Sequence, residues 1–258
     1  MKSTLTSTLT IAVAAVASLA NGAAVQKASA DNNSTNAVNA TELVEQEIIA
    51  VDQVSRIETV ANSAGNSSFV FDFLNAPEAA VVAGDAGNIT TAVVSSFPAL
   101  EGTGAAMFLF QLGPCGMVLP HSHPRASEFI VVTEGKISTQ FLTETGSDVF
   151  SNTLKQYQST IFPVGSLHVE LNPTCEPAKF IGAFDNPDPG TFFVAPGFFS
   201  LEEQVVLTQL GGAVSGADLS SFKKAIPPAG VVAIEQCLKN CNITANAKRD
   251  ILDMLPAK

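Results

Sequence analysis

The sequence predicts an all-β domain, an antiparallel sandwich or jelly roll, flanked by N- and C-terminal helical extensions. Three observations carry this expectation. From residue 69 to about 195, short runs of β-branched and aromatic residues are punctuated by Gly, Pro and Asn at intervals of roughly 8 to 12 residues, the rhythm of strands in a sandwich. Before and after that stretch, apolar residues recur at helical rather than alternating spacing. A pair of histidine-bearing segments, described below, occurs once, so the β-region is one domain and not a tandem.

In chain order, the first residues read as a secretion signal placed at 1–20, or extending as far as 30. Lys2 supplies a positive start, and Leu9 to Ala20 form an apolar stretch too short and too rich in small residues to span a bilayer. Ser18-Leu19-Ala20 offers small residues for cleavage, with Ala28-Ser29-Ala30 as a later alternative. The competing reading is an apolar helix of the domain itself. Residues 21–68 are then a polar leader and a helix. Leu43, Val44, Glu47, Ile48, Val51, Val54 and Ile57 recur at helical spacing, and Thr41 could cap them. Gly65 to Ser68 break that pattern, and Ser68-Phe-Val-Phe-Asp-Phe73 is expected to open the β-region.

Strands are expected at Ala92–Ser95, Ala106–Gln111, Phe129–Thr133 and Lys136–Phe141, with Glu134-Gly135 a hairpin turn whose glycine relieves a positive φ. The β-domain is assigned to residues 69–215 and the helical extension to 216–258. In the tail, Leu201, Val205, Val206 and Leu210 form one amphipathic helix ending at Gly211-Gly212. Asp218, Leu219, Phe222 and Ile226 form a second, stopped by Pro227-Pro228, and a third is expected from Val231 through Leu238.

The chemistry concentrates between Gly116 and Gly135. His121 and His123 are two apart, so on one strand they project from the same face. Glu128 stands at an odd step and would face away on an unbroken strand. A turn at Pro124-Arg125 resets the phase, letting Glu128 point inward from the next strand with Ile130 and Val132 behind it. The third and last histidine, His168, follows a Pro163-Val164-Gly165 turn that feeds a strand. Three imidazoles and a carboxylate on one concave surface suit a divalent transition metal. The plainer alternatives are a satisfied core histidine and a solvated glutamate. Glu170 and Asn172 lie close enough in sequence to orient the non-ligand histidine nitrogens, although Glu170 could as well be solvated or structural.

Bulk composition narrows the function classes. The chain has 258 residues, 46% hydrophobic and 14% charged, which marks it as globular. A formal charge of −11 argues against nucleic acid and against anionic membrane surfaces, both of which need a basic face. Trp is absent and Tyr157 is the only tyrosine, which disfavours a sugar-stacking surface. Sequons at Asn32, Asn33, Asn39, Asn66, Asn88 and Asn242 agree with export through a glycosylating path. Cys115, Cys175, Cys237 and Cys241 allow three pairings, among which the sequence does not choose. A Cys115–Cys175 bridge would tie the two histidine segments together if their strands are neighbours. A Cys237–Cys241 bridge within a helix is geometrically awkward, and a zinc site is disfavoured by the absence of Cys-x-x-Cys.

Gly116, His121, His123, Glu128 and Gly135 resemble the first motif of the germin-type cupins; Pro163, Gly165, His168 and Asn172 resemble the second. Phe71-Asp72-Phe73, Phe97-Pro98-Ala99-Leu100, Asn186-Pro187-Asp188-Pro189-Gly190 and Val194-Ala195-Pro196-Gly197-Phe198-Phe199 extend the likeness, which covers roughly residues 70 to 215 and reaches the spherulin-like microbial branch. The resemblance implies a cupin jelly-roll barrel holding one metal, Mn(II) by preference, through His121, His123, Glu128 and His168. It implies a homo-oligomer, at least a dimer, whose tail helices clasp a partner subunit, and a secreted, extracellular or cell-wall location. The partners expected are a second copy and a small anion or oxygen species at the metal, with no nucleic acid and no membrane.

Whether the chain is an enzyme is left open. The family offers superoxide dismutase and oxalate oxidase activity, and also non-enzymatic spherulin-like wall or encystment proteins with a structural metal. Oxalate-oxidising germins carry Asn three residues before the first histidine, where this chain has Val118, so superoxide dismutation is the stronger enzymatic expectation. The glycine that starts the second motif in the family is replaced by Tyr157, which reads as an altered turn with the site retained.

Overall fold

The computed structural model describes residues 39–227 and 230–243. The expected secretion signal, most of the polar leader and the sequons at Asn32 and Asn33 lie outside the described residues. The single helix expected from Thr41 is two: α1 (Ala40–Ile48) and α2 (Gln53–Ala64). Asn39, not Thr41, caps α1 by accepting from the Glu42 amide at 3.1 Å. Asp52 accepts from the Ser55 amide at 2.8 Å and starts α2 afresh, which explains the break. Gly65, at φ 62, ends α2 in a conformation that favours glycine.

The Ser68–Phe73 segment is not a strand. Residues 65–69 form a 3₁₀ turn, and Asp72 then accepts from the amides of Leu74 and Asn75. Phe71 packs against Phe73 and Phe97. Its apolar spacing reflects this aromatic cluster rather than a pleat. The sheets begin instead with β1 (Val81–Gly84) and β2 (Gly87–Ala92). The expected strand over Ala92–Ser95 ends at its first residue, because the Ser96 hydroxyl bonds the carbonyl of Thr91 and the amide of Val93 and turns the chain.

There follow β3 (Ala106–Leu112), β4 (Gly116–Val118), β5 (His121–Ser122), β6 (Glu128–Glu134), β7 (Lys136–Leu142) and β8 (Phe150–Lys155). Next come β9 (Ser159–Phe162), β10 (Leu167–Leu171), β11 (Ala178–Phe184) and β12 (Phe192–Phe193). Helices α3 (Val194–Phe199), α4 (Glu203–Gln209) and α5 (Gly216–Ala225) lead to β13 (Val231–Ala233) and α6 (Glu235–Asn240). All strand pairs among the described residues are antiparallel, in two sheets. One runs β1-β2-β3-β11-β6-β9. The other runs β12-β5-β10-β4-β13, with β7 on β10 and β8 outside β7.

The inner faces of both sheets meet in one core. On β11, Ala178, Phe180, Gly182 and Phe184 are buried and alternate with half-buried residues, the period-two pattern of a strand with one face in the core. Phe110 stacks on Phe180 with ring centres 4.2 Å apart, and Ile130, Val132 and Ile137 are fully enclosed around them.

Two further expectations change. Gly135 does have φ 75, as a turn glycine should, but it is no hairpin. It joins β6 in one sheet to β7 in the other, at a corner where an added Cβ would lie 2.9 Å from that of Ala178. The helix expected over Val231–Leu238 opens instead with β13, which pairs with β4, and only then becomes α6. Val231, Val232 and Ala233 are apolar neighbours that serve a sheet edge as readily as a helix face.

The cysteines pair as Cys115–Cys237 and Cys175–Cys241. The strands flanking Cys115 and Cys175 are indeed neighbours, since β4 pairs with β10. Yet each cysteine reaches out to α6 or its C-cap rather than to the other. The α6 region is thereby fastened to both histidine-bearing segments at once.

Candidate metal centre

His121 on β5 lies directly opposite His168 on β10, with ring centres 4.2 Å apart. His123 follows on the same face, and the chain then turns through Pro124 to Ala126. That turn is clasped from across the barrel mouth. Arg125 donates from Nε to the carbonyl of Asp188 at 2.7 Å and pairs with its carboxylate at 2.7 Å. The Ser127 amide donates to Asp185 at 2.9 Å. So anchored, β6 begins on Glu128 with its side chain inward and Ile130 and Val132 in phase behind it. On the opposite side, Pro163 and Ser166 close a turn at 3.0 Å with Gly165 at φ 74, and the Gly165 amide donates to the carbonyl of His123 at 2.9 Å. The structure thus brings together all four residues singled out from sequence. His121, His123, Glu128 and His168 are each at most 2% exposed, and one donor atom from each lies within 4.8 Å of the others.

Each histidine is oriented by a backbone carbonyl. Nδ1 of His121 is bonded to Leu119 at 2.8 Å, that of His123 to Gly190, and that of His168 to Ser166 at 2.9 Å. Those bonds put a proton on Nδ1, so that the unprotonated electron pair of each neutral ring is the one on Nε2, facing the centre. Glu170 and Asn172, considered from sequence for this task, do not perform it. Asn172 donates to the carbonyls of Gly113 and Glu176 and accepts from Thr174, shaping the loop that carries Cys175. Glu170 is fully buried with neither oxygen bonded.

Glu128 Oε2 lies 3.2 Å from His123 Nε2 and 3.1 Å from His168 Nε2. Its other oxygen fits because β11 has a glycine opposite. A Cβ on Gly182 would sit 2.4 Å from Oε1. Sequence reading named Arg125 only as part of a turn and Gly190 only within the family likeness, and did not name Gly182, which only an i+2 alternation on β11 could have marked as inward-facing.

Aromatic rings line the centre. Phe162 stacks on His168, Phe184 meets His123 edge-on, and Phe193 lies beside His121. This apolar shell governs the electrostatics. Burial and the neighbouring His168 push His121 down to about 3. Burial would raise Glu128, but the close approach of the His123 and His168 imidazoles, at 3.2 Å and 3.1 Å, prevails and holds it at about 2. Burial would lower His168, but its bond to Glu128 and the charge of Glu170 lift it to about 9. Burial also drives Glu170 up to about 8.

Beside His121 and His123 lies a cavity of about 60 Å³ walled mainly by Ile89, Phe108, Phe110, Val118 and Phe193. It is well short of the roughly 150 Å³ that accommodates benzene.

The family model described as Cupin matches residues 73–214. Spherulin-1A of Physarum polycephalum is 35% identical over 203 residues, covering 79% of this chain and 80% of that protein. Germin-like protein subfamily 2 member 3 of Arabidopsis thaliana is 34% identical over 142 residues, covering 54% and 64% respectively. A solved oxalate oxidase superposes with a TM-score of 0.56 at 22% identity, over 63% of this chain and 83% of its own, a likeness of fold.

Proposed function

The chain belongs to the cupin family, and from that premise we propose that it holds one divalent transition metal through His121, His123, Glu128 and His168. One observation carries this reading: four donors converge in a buried site while His123 Nε2 and Glu128 Oε1 lack any hydrogen-bond partner. A buried polar atom left unpaired costs about 1–3 kcal/mol, and a cation at the centre satisfies both atoms together. Imidazole and carboxylate donors without thiolate fit manganese, iron and zinc alike. The resemblance to germins favours Mn(II), which when bound would supply one-electron redox chemistry.

The chain's own residues set the conditions around the ion. Three backbone carbonyls fix the imidazole tautomers, Glu128 offsets part of the positive charge, and the phenylalanine shell keeps bulk water out. The small apolar cavity favours a compact oxygen species over a dicarboxylate. Val118 stands where an oxalate site would need a polar group, and besides the two histidines no cationic side chain is among the described residues that line the cavity. The enzymatic reading is therefore superoxide dismutation ahead of oxalate oxidation.

A second reading has its own support. The match to Spherulin-1A spans 79% of the chain, against 54% for the germin-like protein. On this reading the protein is a non-enzymatic extracellular or wall component, and the metal pins the barrel. Superoxide and oxalate assays on one manganese-loaded preparation separate the two. Superoxide consumption that vanishes on chelation supports the enzyme; full metal occupancy with neither activity supports the structural protein.

The setting we infer is extracellular. Two disulfides call for an oxidising compartment, and the sequons at Asn39, Asn66 and Asn242 stand on exposed residues. Self-association is also inferred. Met107, Phe129 and Ile161 are 41%, 53% and 53% exposed and lie in one register row across β3, β11, β6 and β9. Such an apolar band suits a second copy.

A further inference from the structure

Glu170 is a buried carboxyl group with no hydrogen bond to either oxygen among the described residues. The hydroxyl of Thr139 is likewise buried without a hydrogen bond. The two residues are register partners on β10 and β7, and both project into the barrel. Glu170 Oε1 lies 3.7 Å from Nε2 of His168, the nitrogen that faces the centre. It is not one of the donors lying within 4.8 Å of one another, so it is set back from them. A structural carboxylate would be bonded to protein, and the histidine nitrogens it might have oriented are held by backbone carbonyls. A hydrogen-bonding group placed between Glu170 and the centre would satisfy these oxygens.

We propose that Glu170, with Thr139 beside it, is a positioning residue that holds a water molecule in a coordination position the four ligands leave open. The inference rests on the metal-binding reading above. Three imidazoles and one carboxylate supply four donors, and a six-coordinate ion has two positions left. The Glu170 carboxyl and the Thr139 hydroxyl form a polar wall in an otherwise apolar core. That wall fixes the orientation of a small hydrogen-bonding ligand and crowds out a bidentate carboxylate. It gives the site two unlike sides, the phenylalanine-lined cavity and the Glu170–Thr139 wall.

The test uses the full chain loaded with Mn²⁺, comparing wild type with Glu170→Gln, Glu170→Leu and Thr139→Val. Water-proton relaxation reports water at the ion, titration calorimetry reports affinity, and thermal melts are run with and without the ion. Glu170→Leu is expected to lower the relaxation enhancement about twofold and the affinity about 10-fold or more, the usual loss for an outer partner. Glu170→Gln, which keeps the hydrogen-bonding reach, should stay within about threefold of wild type, and Thr139→Val should lose part of the enhancement. Without the ion, Glu170→Leu should melt higher than wild type, because a buried unpaired carboxyl has been removed. A structural role would reverse that sign.

Unchanged relaxation in both Glu170→Leu and Thr139→Val overturns the proposal. So does loss of ion binding in Glu170→Leu as complete as in His123→Ala, which would make Glu170 a direct ligand. Wild type that binds no divalent ion overturns the metal reading itself, and that result precedes any comparison of variants. Should Glu170→Leu not fold, an unchanged enhancement in Thr139→Val decides against the wall and a reduced one supports it.

Discussion

The hydrogen bond between Glu128 and His168 competes with the ion that their donor atoms suit. Their hydrogen bond, at 3.1 Å, lifts His168 to about 9 although burial opposes it. A metal takes only the unprotonated imidazole, so loading near neutral pH should release about one proton, and apparent affinity should rise about tenfold per pH unit up to about pH 9. His121, held at about 3, is already neutral and contributes none. Calorimetry in buffers of different ionisation enthalpy measures the release; an enthalpy independent of buffer would contradict it. The same pair shapes the stability of the ion-free chain. The raised His168 contributes stability that is full below 6.5 and lost as pH rises through about 9. The lowered Glu128 contributes stability that is full above 4.5 and lost as pH falls through about 2. Tyr157 offers a separate test. Its φ of 63 is the left-handed conformation in which the resemblance expects glycine, and its side chain is 78% exposed. Tyr157→Gly should therefore stabilise the fold by about 1 kcal/mol, read as a higher melting temperature, and a lower one would refute the argument. Much of this centre was legible from short-range pattern: the two-residue step from His121 to His123, the phase reset at Pro124, the turn before His168. Gly182 and Gly190 were not, because their importance depends on which strand or loop lies opposite, and local sequence does not record that.

At the scale of elements, sequence succeeded where one local signal decided the outcome. β3, β6 and β7 follow their β-branched and aromatic runs within a residue or so, and α4 stops at Gly211-Gly212 as glycines in the left-handed region require. It failed where a side-chain cap or a distant partner decided. Asp52 split a helix that apolar spacing alone had joined, and β13 became a strand because β4 offers it an edge. The disulfides belong here as well. Cys115–Cys237 closes 122 residues and Cys175–Cys241 closes 66, and each bridge limits the unfolded chain by about 4–5 kcal/mol in a chain-entropy estimate. The estimates overlap because both bridges end on the α6 region. Replacing Cys175 and Cys241 together by Ser should lower unfolding free energy by about 2–5 kcal/mol. Denaturant titration checks this, and an unchanged midpoint would show that α6 docks as firmly with the Cys115–Cys237 bridge alone.

The molecule as a whole sets a polar centre between two sheets whose shared interior is otherwise built of phenylalanine, isoleucine and valine. Such a core ordinarily excludes ionisable groups, yet His121, His123, Glu128, His168 and Glu170 are all inside it. A fold tolerates that arrangement when an ion satisfies the donors. The two halves of the site come from segments far apart in sequence, and the β5–β10 pairing that joins them also forms part of the sheet. Metal binding should consequently stabilise the whole barrel and not one loop. The most direct measurement is divalent-ion binding to purified, chelator-stripped protein, by calorimetry with metal analysis of the product. One Mn²⁺ per chain, a higher melting temperature on loading, and sharply reduced binding in a folded His123→Ala variant are the predicted results. Wild type that takes up no ion, or a His123→Ala variant that binds as tightly as wild type, would contradict the account.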